Sequence, residues 1–213
     1  MSKPYHHGAL RSALIEAGVA LARDGGPDRV ILREVARTAG VSHSAAYRHF
    51  TDREALLGEV AGHARGELAA EMSRRIARTR DPRRQLQAVG TAYIDFALNQ
   101  PGLFRTAFGV HAVTAESEPH TDGANPYEIL GRVLDQAQSA GLLAPERRPG
   151  AEIAAWSTVH GLACLLIDGP LPTDPAAIEF AVGRVHELID RGLLDQRPDT
   201  YLDEDIDQIG SPR

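Results

Sequence analysis

The side chains best placed to do chemistry together lie between Ser42 and Arg53. His43, Ser44, Tyr47, Arg48 and His49 supply imidazole, hydroxyl, phenol and guanidinium groups in one short run that contains no carboxylate. On a helix, His43 and Tyr47 are four residues apart, as are Ser44 and Arg48, so the two pairs form adjoining stripes. Ala46 and Phe50 share the opposite side. A hydrogen-bonding face without acids suits the major groove of duplex DNA, where base edges carry distinguishable donor and acceptor patterns. The expectation is that His43 and Ser44, with Arg48 as a further candidate, read bases. Tyr47, His49 and Arg53 are expected to contact phosphates and so set register. Ser42, and Arg33 on the element before it, complete the set of residues expected at the DNA.

Such a face needs a support, and the preceding residues describe one. Leu32, Val35, Ala36 and Ala39 recur at three- and four-residue steps, which predicts an amphipathic helix with Arg33, Glu34 and Arg37 in water. Gly40 follows where a helix commonly ends in a left-handed residue. Val41 can plug the angle, and Ser42 can cap the next helix. Ala36, Ala45 and Ala46 leave room for two helices to cross steeply. Helix, glycine, helix is by itself a common hairpin and a weak signal. The order of small residues, the brevity of the second helix and its acid-free outer face favour the DNA-reading version, a helix-turn-helix over 31–50.

The block VSHSAAYRHFTDREALL resembles the recognition helix and following segment of the TetR family of bacterial transcriptional regulators. Its elements are Val35-Ala36, Ala39-Gly40-Val41-Ser42, Tyr47, His49-Phe50 and Asp52-Arg53-Glu54 ending in Leu56-Leu57, within the first third of the chain. Two positions depart from the usual pattern. Ile31 stands where members usually have Ser or Thr, which removes a helix cap, and Arg53 stands where they usually have Lys, which replaces a point charge by a planar fork.

Leu10, Leu14, Ala17 and Leu21 predict a first helix over Ala9 to Arg23 that braces the other two. Thr51-Asp52-Arg53-Glu54 matches a capping box and predicts a helix from Asp52 toward Arg80. By the resemblance it connects the two parts of the molecule. Its arginines Arg74, Arg75, Arg78 and Arg80 read as a solvated face.

At 213 residues the chain suits one large or two small domains, and it carries no alternating strand pattern. The expected fold is all-α. A three-helix DNA-binding domain at 5–65 is followed by a helical ligand-binding and dimerisation bundle at 66–194 and an acidic tail at 195–213. No secretory leader precedes the first helix. The longest strongly apolar run, Leu162 to Ile167, is far below the ~20 residues of a membrane span. A cytoplasmic protein without a membrane partner is expected. Cys164 is alone, which excludes an intrachain disulfide. The net charge of −6 is unevenly spread: residues 1–55 carry +2 and the remainder −8. A positive head and a negative body discourage DNA from binding the wrong surface.

In the second part, Leu86, Val89, Tyr93 and Ala97 predict a helix over Gln85 to Leu98, stopped by Asn99-Gln100-Pro101-Gly102. A short helix then carries Leu103, Phe104, Ala107 and Phe108. Val110 to Asn125 reads as a polar loop, and Tyr127 to Ala140 as another amphipathic helix. The segment from Ala151 to Asp168 is apolar on nearly every side, so its helix requires cover from its own domain and from a partner. With the helix from Pro175 to Leu194, it predicts a twofold four-helix interface, as the resemblance also implies. A homodimer then presents two recognition helices to a palindromic operator.

Trp156, His160 and Gly161 resemble the Trp-His-Gly (WHG) signature of one branch of TetR-like C-terminal domains. Two readings are open. Trp156 and His160 line a small-molecule pocket with Tyr93, Phe104 and Phe108, or Trp156 fills the core while His160 satisfies a buried carbonyl. The functional expectation is a sequence-specific DNA-binding regulator without cofactor or metal, a repressor released by a small-molecule ligand. A ligand-independent or activating regulator is the alternative. A metal-dependent hydrolase is the rival from another class. Nine histidines invite it, yet no helix pairs two of them with a glutamate at zinc-site spacing, and no nucleophile elbow or phosphate loop is present.

Overall fold

The computed structural model describes residues 7–109 and 125–194, and all regular structure among them is helical. The tail at 195–213 and the expected loop, apart from Asn125, lie outside the described residues.

Helix α1 (His7–Gly25) buries Leu14 and Ala17 and half-buries Leu10 and Leu21, the face its periodicity predicts. A single 3-10 turn at Pro27–Arg29, unannounced in the sequence, leads into α2 (Leu32–Thr38) and α3 (His43–Tyr47). Ile31 occupies the N-cap of α2 in extended backbone without a side-chain hydrogen bond. Ile31→Thr supplies the missing acceptor and is expected to raise stability by about 1 kcal/mol, read as a higher denaturation midpoint. An unchanged or lower midpoint would show that the uncapped amides are already satisfied.

Helix α4 (Arg53–Ile76) starts where expected, but its cap is Asp52 rather than Thr51: the Asp52 carboxylate accepts from the Ala55 N–H at 2.8 Å. It ends at Ile76, before the expected Arg80, and Asp81 adopts the extended backbone that a following proline imposes. Asp81 then caps α5 (Pro82–Asn99), with Pro82 in the first turn where its missing N–H does no harm. The helix therefore begins three residues before the expected start at Gln85. Proline and a side-chain cap recur at α7 (Pro126–Ser139, cap Asn125) and α9 (Pro175–Ile189, cap Asp174). Between them lie α6 (Pro101–Phe108) and α8 (Ala151–Ile167), and a π-helical segment, Asp190–Leu194, extends α9.

One continuous apolar core runs from α1 through α9. The expected division at residue 65 falls inside α4, so an unbroken helix rather than a linker joins the two parts. Helix α6 is wedged against both α1 and α4. Gly102 makes this approach possible, since a Cβ there would stand 2.2 Å from the Ala22 carbonyl oxygen. At the opposite end, α8 buries Ala155, Val159, Leu162 and Ala163 but leaves Ile153 and Leu165 in solvent. On its neighbour α9, Phe180 and Leu188 are 72% and 60% exposed. No described helix is long and apolar enough to cross a membrane.

Candidate nucleic-acid interface and internal cavity

The turn between α2 and α3 closes with paired backbone bonds, from Val41 N–H to the Ala36 carbonyl at 2.9 Å and from Gly40 N–H to the Arg37 carbonyl at 3.2 Å. This arrangement requires the left-handed Gly40, whose φ is 69°. Ser42 caps α3 by accepting from the Ala45 N–H at 3.2 Å, with the Ser44 hydroxyl 3.1 Å away. Ala46 and Phe50 are buried beneath, and the Arg11 guanidinium covers the Phe50 ring at 5.3 Å.

With that side anchored, Ser42, His43, Ser44, Tyr47 and Arg48 all project into solvent, and Arg33 is exposed on α2. The His43 and Tyr47 rings meet edge to face at 4.7 Å, confirming the shared stripe. His49 is half-buried. Arg53, expected at a phosphate, has acceptors within the protein itself. Its Nε donates to the Val30 carbonyl at 2.9 Å and its Nη2 to the Pro27 carbonyl at 2.7 Å. A guanidinium has a fork of donors that can reach two carbonyls at once, the Pro27 one already accepting from the Val30 N–H, which a single ammonium does less well. Arg53 therefore clamps the start of α4 onto the segment before α2.

A cavity of about 470 Å³ lies among α4, α5, α7 and α8, closed on one side by α6. Trp156, Tyr93, Phe108 and His160 line it together, as do Tyr127, Met72 and Arg65. Phe104 does not line it. It is buried behind the wall, stacked on His160 at 5.5 Å and edge-on to Tyr93 at 5.4 Å, because its position on α6 turns toward the core. The polar atoms of the wall form a chain. Trp156 Nε1–H donates to the Tyr93 oxygen at 3.0 Å, that oxygen lies 2.8 Å from His160 Nδ1, and His160 Nε2 lies 3.5 Å from Cys164 Sγ. His160 thus pairs with a phenol and a thiol rather than with a carbonyl, and Trp156 borders space instead of filling the core. Burial lowers the His160 pKa and raises those of Tyr93 and Cys164, so all three favour their neutral forms.

Arg65 was not among the candidates, although the sequence carries a signal for it. It interrupts the stripe Ala61, Ala69 and Met72, all of which are buried, with a charge. Tyr127, edge-on to Trp156 at 5.7 Å, comes from a helix whose placement no local pattern fixes. Among the described residues no group of three His, Cys, Asp or Glu side chains could hold a metal ion.

A helix-turn-helix with its polar face outward, joined through one helix to a hollow bundle, defines a transcriptional regulator, and the comparisons agree. Residues 14–60 match the family described as bacterial regulatory proteins, tetR family. Residues 86–185 match the family described as Tetracyclin repressor-like, C-terminal domain. A Rhodococcus sp. RHA1 protein described as being of unknown function is 30% identical, with 91% of this chain and 100% of that one covered and a TM-score of 0.71. Two regulators described as TetR family share the fold. The one from Marinobacter aquaeolei VT8 has 22% identity, coverage of 89% and 97%, and a TM-score of 0.63. The one from Streptomyces coelicolor has 20% identity, coverage of 86% and 99%, and a TM-score of 0.61. No curated protein matches the chain. The chain belongs to the TetR family and is a DNA-binding transcriptional regulator.

Proposed function

We propose that this regulator is a homodimeric repressor that occupies a palindromic operator in the cytoplasm and leaves it when a small molecule fills the cavity. The observation that carries the reading is the two-sidedness of α3, with Ala46 and the following Phe50 buried while His43, Ser44, Tyr47 and Arg48 are free to meet DNA. In this reading His43, Ser44 and Arg48 touch base edges, while Tyr47, His49, Ser42 and Arg33 hold phosphates. Exposed apolar residues of α8 and α9, Ile153, Leu165, Phe180 and Leu188, support a twofold four-helix seam. Residues 5–65 act as the DNA-binding unit and 66–194 as the ligand-binding and dimerisation unit. Trp156, His160 and Gly161 support membership of the WHG branch.

Release follows from packing. Phe108 and Ala107 of α6 border the cavity, while Gly102 of the same helix touches α1. A ligand that fits better when α6 is displaced shifts the dimer away from operator spacing by its differential affinity for the two arrangements. The test is selection of bound sites from random duplexes by the full-length protein. The expected product is an inverted repeat whose half-sites lie about one helical turn apart or a multiple of it. Recovery of unrelated sequences with no symmetry would overturn the operator reading.

A further inference from the structure

The cavity wall is apolar and aromatic except in a few places, and its charge is one-sided. Of the described residues lining it, Arg65 alone carries a full charge at neutral pH; no described lysine or carboxylate shares the wall. Its one hydrogen bond among the described residues runs from Nη1 to the Ala107 carbonyl at 3.2 Å, and no described carboxylate pairs with it. The other arginines of α4 contrast with it: Arg74 pairs with Glu71, and Arg75 with Glu71 and Asp95. A guanidinium does not lose its proton in a protein, so Arg65 stays cationic although burial lowers its pKa. An arginine presents five N–H donors, and one of those on Arg65 is engaged by a described acceptor. His160, also on the wall, has its pKa lowered by burial, which favours the neutral ring.

Beside the Ala107 carbonyl, the next residue along α6 is Phe108, whose ring lies 6.2 Å from Trp156; Trp156 in turn meets Tyr127. Edge-to-face rings of this kind accept a flat or branched apolar body. A volume of about 470 Å³ sits in the lower part of the range of small-molecule sites.

We propose that the cavity is a site for small organic monocarboxylates, with the carboxylate on Arg65 and an aromatic or branched apolar body between Trp156, Tyr127 and Phe108. This rests on the reading of the cavity as the effector site and adds the class of effector. A planar carboxylate matches the guanidinium fork with two parallel N–H···O bonds. It also supplies the countercharge that the described wall lacks. Because Arg65 stands on α4, whose first residue Arg53 clamps the Val30 and Pro27 carbonyls, the acid would be bound to the same helix that carries the DNA-binding head.

The chain has a single tryptophan, Trp156, so its fluorescence reports on this cavity alone. The experiment titrates the full-length protein with 4-phenylbutanoate, 3-cyclohexylpropanoate and 4-methylpentanoate, each beside its uncharged primary amide. At least one acid is expected to change the emission saturably with about tenfold or greater preference over its own amide. Arg65→Gln should abolish that preference while the amide still binds, which also shows the variant to be folded. Arg65→Lys, retaining charge, should keep part of it. Acid and amide binding equally, or an unchanged preference in Arg65→Gln, would overturn the anion site and leave the cavity a ligand site. No response from either member of any pair would overturn both.

Discussion

Replacing His43 by alanine is expected to weaken operator binding by about 30- to 20,000-fold while leaving the denaturation midpoint unchanged. The side chain is exposed, and its described contact is the neighbouring Tyr47 ring. Its removal therefore leaves no cavity and no stranded buried partner. At a base edge a good contact is worth roughly 1–3 kcal/mol of discrimination. A twofold dimer loses the contact twice, at sites far enough apart for the losses to add. The sum, about 2–6 kcal/mol, corresponds to that range of affinity. Fluorescence anisotropy on the selected palindrome and on a scrambled duplex, at one salt concentration, separates the roles. Loss on the palindrome alone assigns His43 to base reading, and equal loss on both duplexes assigns it to the backbone. Full affinity on both would remove α3 from the groove. Tyr47→Phe, by contrast, is expected to weaken both duplexes alike and modestly.

Gly102→Ala is expected to destabilise the protein by about 3 kcal/mol, at the upper end of typical overpacking costs. Its new Cβ would meet the Ala22 carbonyl oxygen at 2.2 Å, the Arg23 carbonyl oxygen at 2.9 Å and the Gly26 nitrogen at 3.0 Å. All three are backbone atoms of α1 and the turn after it, which no rotamer change can move aside. Helix α6 must back away, and the cavity wall at Ala107 and Phe108 moves with it. Thermal or urea denaturation reads the stability, and effector titration of the operator complex reads the coupling, which should weaken together. Gly66→Ala is the control, because a Cβ there meets nothing within 4 Å in the middle of α4. It should be neutral or stabilising by up to about 1 kcal/mol. If Gly102→Ala matched the parent in both measurements, the tight seating of α6 on α1 would play no part in stability or release.

Arg53 and Phe104 show what residue chemistry leaves open. A positive side chain just after a recognition helix has two kinds of acceptor within reach, phosphate and stray carbonyl. Only the fold shows that Val30 and Pro27 offer theirs. Phe104 and Phe108 are four apart on one short helix and equally apolar, yet one borders space and the other is packed behind it.

What the chain determined by itself is local. Apolar repeats at helical spacing, Gly40 at a left-handed turn, Ser42 as a cap and an acid-free run from His43 to His49 are features of neighbouring residues, and each acts through forces that reach only a turn or two. They made the all-helical fold, the helix-turn-helix and its outward face legible. Tertiary structure decided the rest. Tyr93 and His160 meet across 67 positions of sequence, and Arg65 reaches the Ala107 carbonyl across 42. Such pairs depend on how helices stack, and stacking is set by the summed burial of many side chains rather than by any one motif. For that reason the aromatic wall could be guessed from the spacing of Trp156 and His160, whereas the arginine inside it, without a described carboxylate partner, emerged only with the packed bundle.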